Sequence, residues 1–194
     1  MKGLKRMTGS RVWLFRILIL LGIAGIIISW FLPWWSLDIE SFFKPEAIII
    51  HPYGLEDTTN LAGALNVGLP GFFAPLIWIY FGLVITALVI AAIFMKKDIT
   101  LFGKKLNLSR WIIGIAGFSY LVVPIVAVIV AAIMTGDIDG LPLIKRYYIT
   151  MGGGMLSWVQ GHLRFGYWLA LSIGPFLMAI ALFRNKIIGK IDNN

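Results

Sequence analysis

The stretch WLFRILILLGIAGIIISWFLP, from Trp13 to Pro33, decides the fold class because it is apolar over the length that a membrane-spanning helix needs. A helix rises about 1.5 Å per residue, so roughly 20 residues cross a hydrocarbon core about 30 Å thick. Three further stretches have the same character: Pro70 to Met95, Trp111 to Met134 and Phe165 to Phe183. The sequence therefore predicts an all-α membrane protein whose four transmembrane helices form one bundle.

The composition agrees with a membrane location. Hydrophobic residues make up 59% of the chain, charged residues make up 13%, and the mean hydropathy is +0.89. Soluble domains carry about 25% charged residues, so a soluble fold of this size is excluded. The segments between the four stretches are too short to bury a core alone, which predicts a single domain over residues 1–194. The absence of cysteine excludes disulfides and thiolate metal sites.

The distribution of positive charge predicts the orientation. Thirteen of the 17 Lys and Arg residues lie at the start of the chain, between the second and third stretches, or after the fourth. Because Lys and Arg collect in cytoplasmic segments, both termini and the loop from Met95 to Arg110 are predicted to be cytoplasmic. The loops 34–69 and 135–164 then face outward. We therefore expect a multi-pass protein of the cell membrane, in contact with the lipid bilayer and not with nucleic acid.

The first apolar stretch is expected to remain in the mature protein. It is longer than the roughly 7 to 15 apolar residues of a signal peptide. Pro33, Trp34 and Trp35 also stand where signal cleavage needs small residues. The stretch therefore predicts a permanent helix.

Small residues recur four positions apart in the apolar stretches and predict helix contact faces. Lipid gives apolar side chains no reason to leave it, so membrane helices associate where small residues let their backbones approach. These residues are Gly25, Ser29, Ala87, Ala91, Gly166, Ala170 and Gly174. Proline removes a helical hydrogen bond and bends the axis, which we expect at Pro75, Pro124 and Pro175.

Tryptophans are predicted to mark the membrane boundaries, where an indole keeps its ring in the acyl edge and its N–H in the wet zone. The candidates are Trp13, Trp30, Trp34, Trp35, Trp111 and Trp168. The stretches contain no Asp, Glu, Lys or His. A small transporter or channel is the alternative interpretation, and it would need a continuous polar path past Ser119, Tyr120 and Ser172.

The two outward loops predict a small antiparallel β-sheet. Leu37 and Ile39 alternate with Asp38 and Glu40, as in a strand with one packed and one wet face. A second strand is predicted at 48–50 and a third at 143–150, because both are rich in β-branched or aromatic residues. A lone hairpin is marginal in water, so we expect three strands supported by the helix ends.

This layout resembles the claudin and peripheral-myelin-protein class of tetraspan proteins. The resemblance covers nearly the whole chain as topology and five residues as motif: Pro33, Trp34 and Trp35 at the exit of the first helix, then Gly54 and Leu55. In that class the Gly-Leu pair is followed by Trp and by two cysteines, whereas this chain has Glu56 and no cysteine. The resemblance implies lateral assembly, adhesion or an accessory role, with the sheet as contact surface.

We therefore expect a non-enzymatic protein without catalytic residues, cofactor or metal, which uses its outer sheet to contact copies of itself or a larger membrane protein. Exposed aromatic residues dominate protein interfaces, and the candidates are Phe42, Phe43, Tyr53, Tyr147, Tyr148 and Trp158. An outer-face metalloenzyme is a further alternative. It would combine His51 and His162 with carboxylates drawn from Glu56, Asp57, Asp137 and Asp139.

Overall fold

The computed structural model describes residues 9–39, 46–57, 71–94, 98–101, 104–136, 144, 146–151 and 155–188. Four long helices account for most of these residues: α1 (Gly9–Phe31), α2 (Phe73–Ile93), α3 (Leu108–Gly136) and α4 (Phe165–Ile188). Each is long and apolar enough to cross a membrane. The four predicted helices are confirmed, with ends that differ from the predicted ones by five residues or fewer.

Seven short strands complete the described fold. They are β1 (Trp35–Ile39), β2 (Glu46–His51), β3 (Gly54–Asp57), β4 (Asp98–Leu101), β5 (Lys104–Asn107), β6 (Arg146–Met151) and β7 (Met155–Leu163). Five of them form one antiparallel sheet in the order β3-β2-β1-β7-β6. The predicted sheet, built from both longer loops, is therefore confirmed. It contains β3 and β7 in addition to the three predicted strands.

The two ends of the helix bundle carry different structures. The five-stranded sheet lies where α1 ends and α4 begins, and we call this end of the bundle the sheet end. At the opposite end, β4 and β5 form a separate antiparallel hairpin between α2 and α3, which the sequence analysis did not predict. The Asn107 carboxamide oxygen accepts a hydrogen bond from the backbone N–H of Arg110 (3.3 Å), so Asn107 caps the start of α3. We call the end of the bundle that carries β4 and β5 the hairpin end.

Large apolar side chains fill the space between the helices. Phe15, Ile19 and Ile26 of α1 meet Ile113 of α3 and Leu177 of α4 in one buried cluster. The helices take unequal shares of it: α4 buries ten residues, but α2 buries only Val84, Leu88 and Ala91. Helix α2 is therefore the peripheral helix, and most of its surface remains open.

Small residues lie where two helices approach most closely. A Cβ atom added to Gly174 would be 2.6 Å from the Leu121 Cβ and 2.9 Å from the Gly117 carbonyl oxygen. One added to Gly166 would be 2.6 Å from the Pro33 carbonyl oxygen, and one on Gly25 would be 2.9 Å from the Ile173 side chain. Among the other candidates for helix packing, Ser29, Ala91 and Ala170 are fully buried and Ala87 is half-buried. Gly117 belongs to the same contact face, although the four-residue spacing did not indicate it.

The expectation for one proline was wrong, and the predicted boundary tryptophans differ in exposure. Pro75 does not interrupt α2, because it lies in the first turn, where backbone N–H groups have no partner within the helix; Pro124 and Pro175 do lie inside their helices. Trp30 lies one residue before the end of α1, but its ring does not face outward: it is fully buried and stacks on Phe81 with ring centroids 4.4 Å apart. Trp34 and Trp35 are also buried, whereas Trp13, Trp111 and Trp168 are exposed.

The polar side chains between the helices form short local contacts. The Ser29 and Tyr120 hydroxyls are 2.6 Å apart, and the Tyr80 hydroxyl donates to the Ser119 hydroxyl at 3.3 Å. Ser172, which the transporter interpretation needs, is exposed and donates to the Trp168 carbonyl of its own helix. These contacts tie α1 and α2 to α3.

Candidate functional site

The sheet is fixed to the helix bundle through Trp34, which lies between α1 and β1. Its backbone N–H donates to the Ile50 carbonyl and its carbonyl accepts from the Arg164 N–H, both at 2.9 Å. The indole N–H also donates to the Ser29 carbonyl at 2.9 Å, and the ring packs edge-on against Tyr167. Hydrogen bonds to β2, α1 and the start of α4 thus set the orientation of the sheet on the helices.

A polar cluster of Ser36, Asp38, His162 and Arg164 joins the two strands contributed by different loops. The Arg164 guanidinium donates to the Ser36 hydroxyl at 2.6 Å and to both Asp38 carboxylate oxygens at 3.1 and 3.3 Å. The His162 Nε2 lies 3.4 Å from the Asp38 carboxylate. Ser36 and His162 are direct neighbours in the β1–β7 register, so the cluster clamps the two halves of the sheet together.

The clamp predicts a measurable coupling between Asp38 and Arg164. Each of the substitutions Asp38→Asn and Arg164→Gln should lower the free energy of unfolding by about 1–2 kcal/mol, because each leaves a partly buried polar partner unsatisfied. Since the Arg164 side chain is 35% exposed, solvent screening should limit the coupling energy in a double-mutant cycle to about 1 kcal/mol. Denaturant titration of the purified protein in detergent measures it.

Glu56→Gln is the matched control, since the Glu56 carboxylate is exposed and lies 3.8 Å from the His51 Nε2, outside the Asp38–Arg164 contact. Its expected effect is below about 0.5 kcal/mol. Strictly additive effects of Asp38→Asn and Arg164→Gln would mean that the clamp contributes nothing to joining the two loops.

An aromatic cluster of Trp30, Phe31, Tyr53, Trp78 and Phe81 connects the sheet to α1 and α2. Tyr53, in the β2–β3 turn, has its ring centroid 5.6 Å from that of Trp78 and 6.2 Å from that of Phe31. Trp78 in turn contacts Trp30 at 5.8 Å and Phe81 at 5.7 Å. Offset and edge-on aromatic pairs of this kind are favourable beyond their burial. The aromatic cluster therefore forms one surface that extends from α1 and α2 to the β2–β3 turn of the sheet.

Some side chains of the aromatic cluster are exposed and others are buried. Phe31 is 53% exposed and Trp78 is 41% exposed, whereas Trp30 is completely buried. The buried Trp30 indole N–H and the His51 Nδ1 have no hydrogen-bond partner among the described residues. His51 stacks on Tyr53 at 5.1 Å. Two effects raise the pKa of the Tyr53 phenol above its ordinary value: burial is the larger, and the negative charge of the nearby Glu56 carboxylate is the smaller. Tyr53 is therefore neutral at physiological pH.

The predicted contact residues fall into three groups. Tyr53 is half-buried in the aromatic cluster, and Trp158 is half-buried in β7 opposite Tyr148 of β6. Tyr147 lies next to Tyr148 in β6 at the edge of the sheet order, and the structure describes the backbone of both. Phe42 and Phe43 lie outside the described residues. Of the residues quoted for the claudin-like motif, Gly54 and Leu55 begin β3, where they pair with His51 and Ile50.

The two histidines of the metalloenzyme alternative have different carboxylate neighbours. His51 lies near Glu56, and His162 lies near Asp38. Within the described part of the chain, no three metal-ligating side chains come together. Asp137 and Asp139 lie outside that part.

Sequence reasoning missed Trp78, Phe31 and Arg164 as parts of the site. Trp78 and Phe31 were interpreted only as parts of apolar spans, and Arg164 only as one basic residue of an outward loop. Their positions could have indicated this role, because each lies within about two turns of a helix end and close in sequence to a loop that was predicted to form strands.

Comparison with known proteins gives no match: no family model, no curated protein and no solved structure is significantly similar to this chain.

Proposed function

We propose that this chain is a non-enzymatic, multi-pass protein of the cell membrane whose sheet end binds another membrane protein. The bound protein is a second copy of the chain or a larger membrane protein to which this chain is an accessory subunit. The partly exposed aromatic cluster is the observation that carries the proposal. The sheet, fixed on the bundle through Trp34, supplies the rest of the surface.

Membrane insertion is supported by the side chains that point away from the bundle. Leu83 in the middle of α2 is 64% exposed, and Ile115 on α3 and Leu182 on α4 are similarly open. Soluble monomers rarely expose contiguous apolar patches larger than a few hundred Å². Four helices with open apolar surfaces along their length are suited to lipid rather than water.

The proposed orientation rests on the hairpin end. The β4–β5 hairpin and the segments that flank it contain Lys96, Lys97, Lys104 and Lys105, and Arg110 follows at the start of α3. Arg184 and Lys186 lie at the same end on α4. Because cytoplasmic segments are rich in Lys and Arg, the hairpin end with both termini is assigned to the cytoplasm and the sheet end to the exterior.

Contact through the aromatic cluster is supported by its composition and by its fixed geometry. Trp and Tyr are enriched among the residues that dominate binding energy at protein interfaces. Trp78 lies on α2, the helix with the fewest buried residues, so a neighbouring helix has access to it. Tyr53 extends the same surface onto the β2–β3 turn. The resemblance in plan to claudins, including strands in both outward loops, supports the same kind of lateral contact.

Site-specific photo-crosslinking in membranes tests the proposal. Benzoylphenylalanine placed at Trp78 should form a discrete protein adduct, either a dimer of the chain or a heteromer. The same probe at Trp111, an exposed tryptophan at the hairpin end, is the matched control and should give at least fivefold less protein adduct. Phe31→Ala should reduce the adduct from position 78 severalfold, since it removes one neighbour of Trp78. Equal adducts from both positions, or lipid adducts alone, would contradict the proposal.

A further inference from the structure

A groove runs between α3 and α4 at the hairpin end, away from the aromatic cluster. Its volume is about 530 Å³. The residues that line it include Arg110, Trp111, Gly114, Phe118, Met178 and Ala181. A Cβ atom added to Gly114 would lie 3.7 Å from the Ala181 Cβ, so the two small residues face each other and leave room between the larger ones. The groove is therefore apolar except at one end.

The polar end of the groove is positively charged. Arg110 is exposed there, while its backbone N–H is held by the Asn107 side chain. A second arginine, Arg184, is buried at the same end of the bundle, where its Nε donates to the hydroxyl of Ser109, the residue before Arg110, at 3.2 Å. Arg184 is thus held by a contact within the protein, whereas Arg110 is an exposed residue of the groove lining.

The length of the groove fits one leaflet of a bilayer. From Arg110 to Phe118 the helix rises about 12 Å, at about 1.5 Å per residue. Half of a hydrocarbon core about 30 Å thick is about 15 Å. An acyl chain lying in the groove would thus place its headgroup level with Arg110, and the Trp111 indole would lie at the same boundary.

We propose that the α3–α4 groove is a binding site for an anionic phospholipid of the leaflet at the hairpin end. The acyl chain lies against Gly114, Phe118 and Met178, and the phosphate accepts hydrogen bonds from the Arg110 guanidinium. Arginine suits this task because its planar fork of N–H donors matches two phosphate oxygens at once. This inference rests on membrane insertion, and it is independent of protein contact at the sheet end.

Native mass spectrometry of the full chain in mild detergent tests the site. The protein is incubated with phosphatidylglycerol or phosphatidylcholine of identical acyl chains, and the bound lipids are counted. We expect about fivefold more retained phosphatidylglycerol, since one basic residue near an anionic surface contributes about that factor. Arg110→Gln should abolish the preference, and Arg110→Glu should reverse it. Gly114→Leu should reduce retention of both lipids at least threefold, because its side chain would occupy the groove.

Arg11→Gln is the control, since it removes one positive charge at the same end without touching the groove. It should leave the lipid preference unchanged. Equal retention of the two lipids by the wild type would overturn the proposal, as would equal losses from Arg11→Gln and Arg110→Gln. Arg110 is exposed, so its variants test the charge even if Gly114→Leu does not fold. A failure here would leave the crosslinking result at Trp78 unaffected.

Discussion

Gly174→Ala should destabilise the helix bundle by about 1–3 kcal/mol, the range typical of overpacked sites. The added methyl group would lie 2.6 Å from the Leu121 Cβ and 2.9 Å from the Gly117 carbonyl oxygen. Neither atom belongs to the far end of a flexible side chain, so α3 and α4 would have to move apart. Thermal or denaturant unfolding of the detergent-solubilised protein measures the loss.

Gly82→Ala is the matched control within α2. Apart from its chain neighbours and the backbone of its own helix, a Cβ atom at Gly82 would have no atom within 4 Å, and alanine is favoured over glycine in a helix by about 0.8–1 kcal/mol. Gly82→Ala should therefore leave the stability unchanged or raise it. If Gly174→Ala were as stable as Gly82→Ala, close backbone approach would not be what joins α3 to α4.

The reciprocal position strengthens this prediction. A Cβ atom at Gly117 would lie 2.9 Å from the Gly174 carbonyl oxygen and 3.0 Å from the Met178 backbone nitrogen. Gly117→Ala should therefore destabilise the bundle by a similar amount. Because both substitutions force the same two helices apart, their combined effect should be smaller than the sum of the two.

The helices were predictable because length and hydropathy alone specify them. An apolar stretch such as Trp13 to Pro33 needs no tertiary partner to identify it, since its backbone hydrogen bonds are all internal. The small residues of α4 were also informative: Gly166, Ala170 and Gly174 are all buried in the bundle. The facing Gly117 was not predictable from spacing, because Ile113 and Leu121 stand four positions to either side of it and neither is small.

The strands were only partly predictable because their signals depend on partners. In β7, Gly161 and polar side chains weaken the alternation between apolar and polar residues, and the strand is specified by its pairing with β1 and β6. Strand β3 contains two acids in four residues and forms as the continuation of a hairpin with β2. The β4–β5 hairpin lies in a segment that was interpreted only for its positive charge.

The candidate site was less predictable than the fold because its parts come from distant segments. Asp38 and Arg164 are adjacent in space but 126 positions apart in sequence, so their contact depends on the β1–β7 pairing. Trp30 is apolar and near a helix end, which is typical of a membrane boundary, yet Phe81 and Trp78 bury it. Hydropathy cannot separate an aromatic residue that faces lipid from one that faces another helix.

Cysteine accessibility tests the arrangement in the membrane, and the chain suits it because it contains no cysteine. Three single substitutions sample the proposed layers: Glu56→Cys at the sheet end, Leu83→Cys in the middle of α2, and Lys186→Cys at the hairpin end. All three positions are exposed in the protein itself. Differences in their labelling would therefore come from the membrane and not from burial within the protein.

Labelling of intact cells with a membrane-impermeant maleimide is the most direct measurement. We predict that Glu56→Cys reacts in intact cells, that Lys186→Cys reacts only after the cells are opened, and that Leu83→Cys remains unreacted in both cases because lipid covers it. Rapid labelling of Leu83→Cys in opened cells, or labelling of Lys186→Cys from outside, would contradict a four-helix membrane protein that presents its sheet to the exterior.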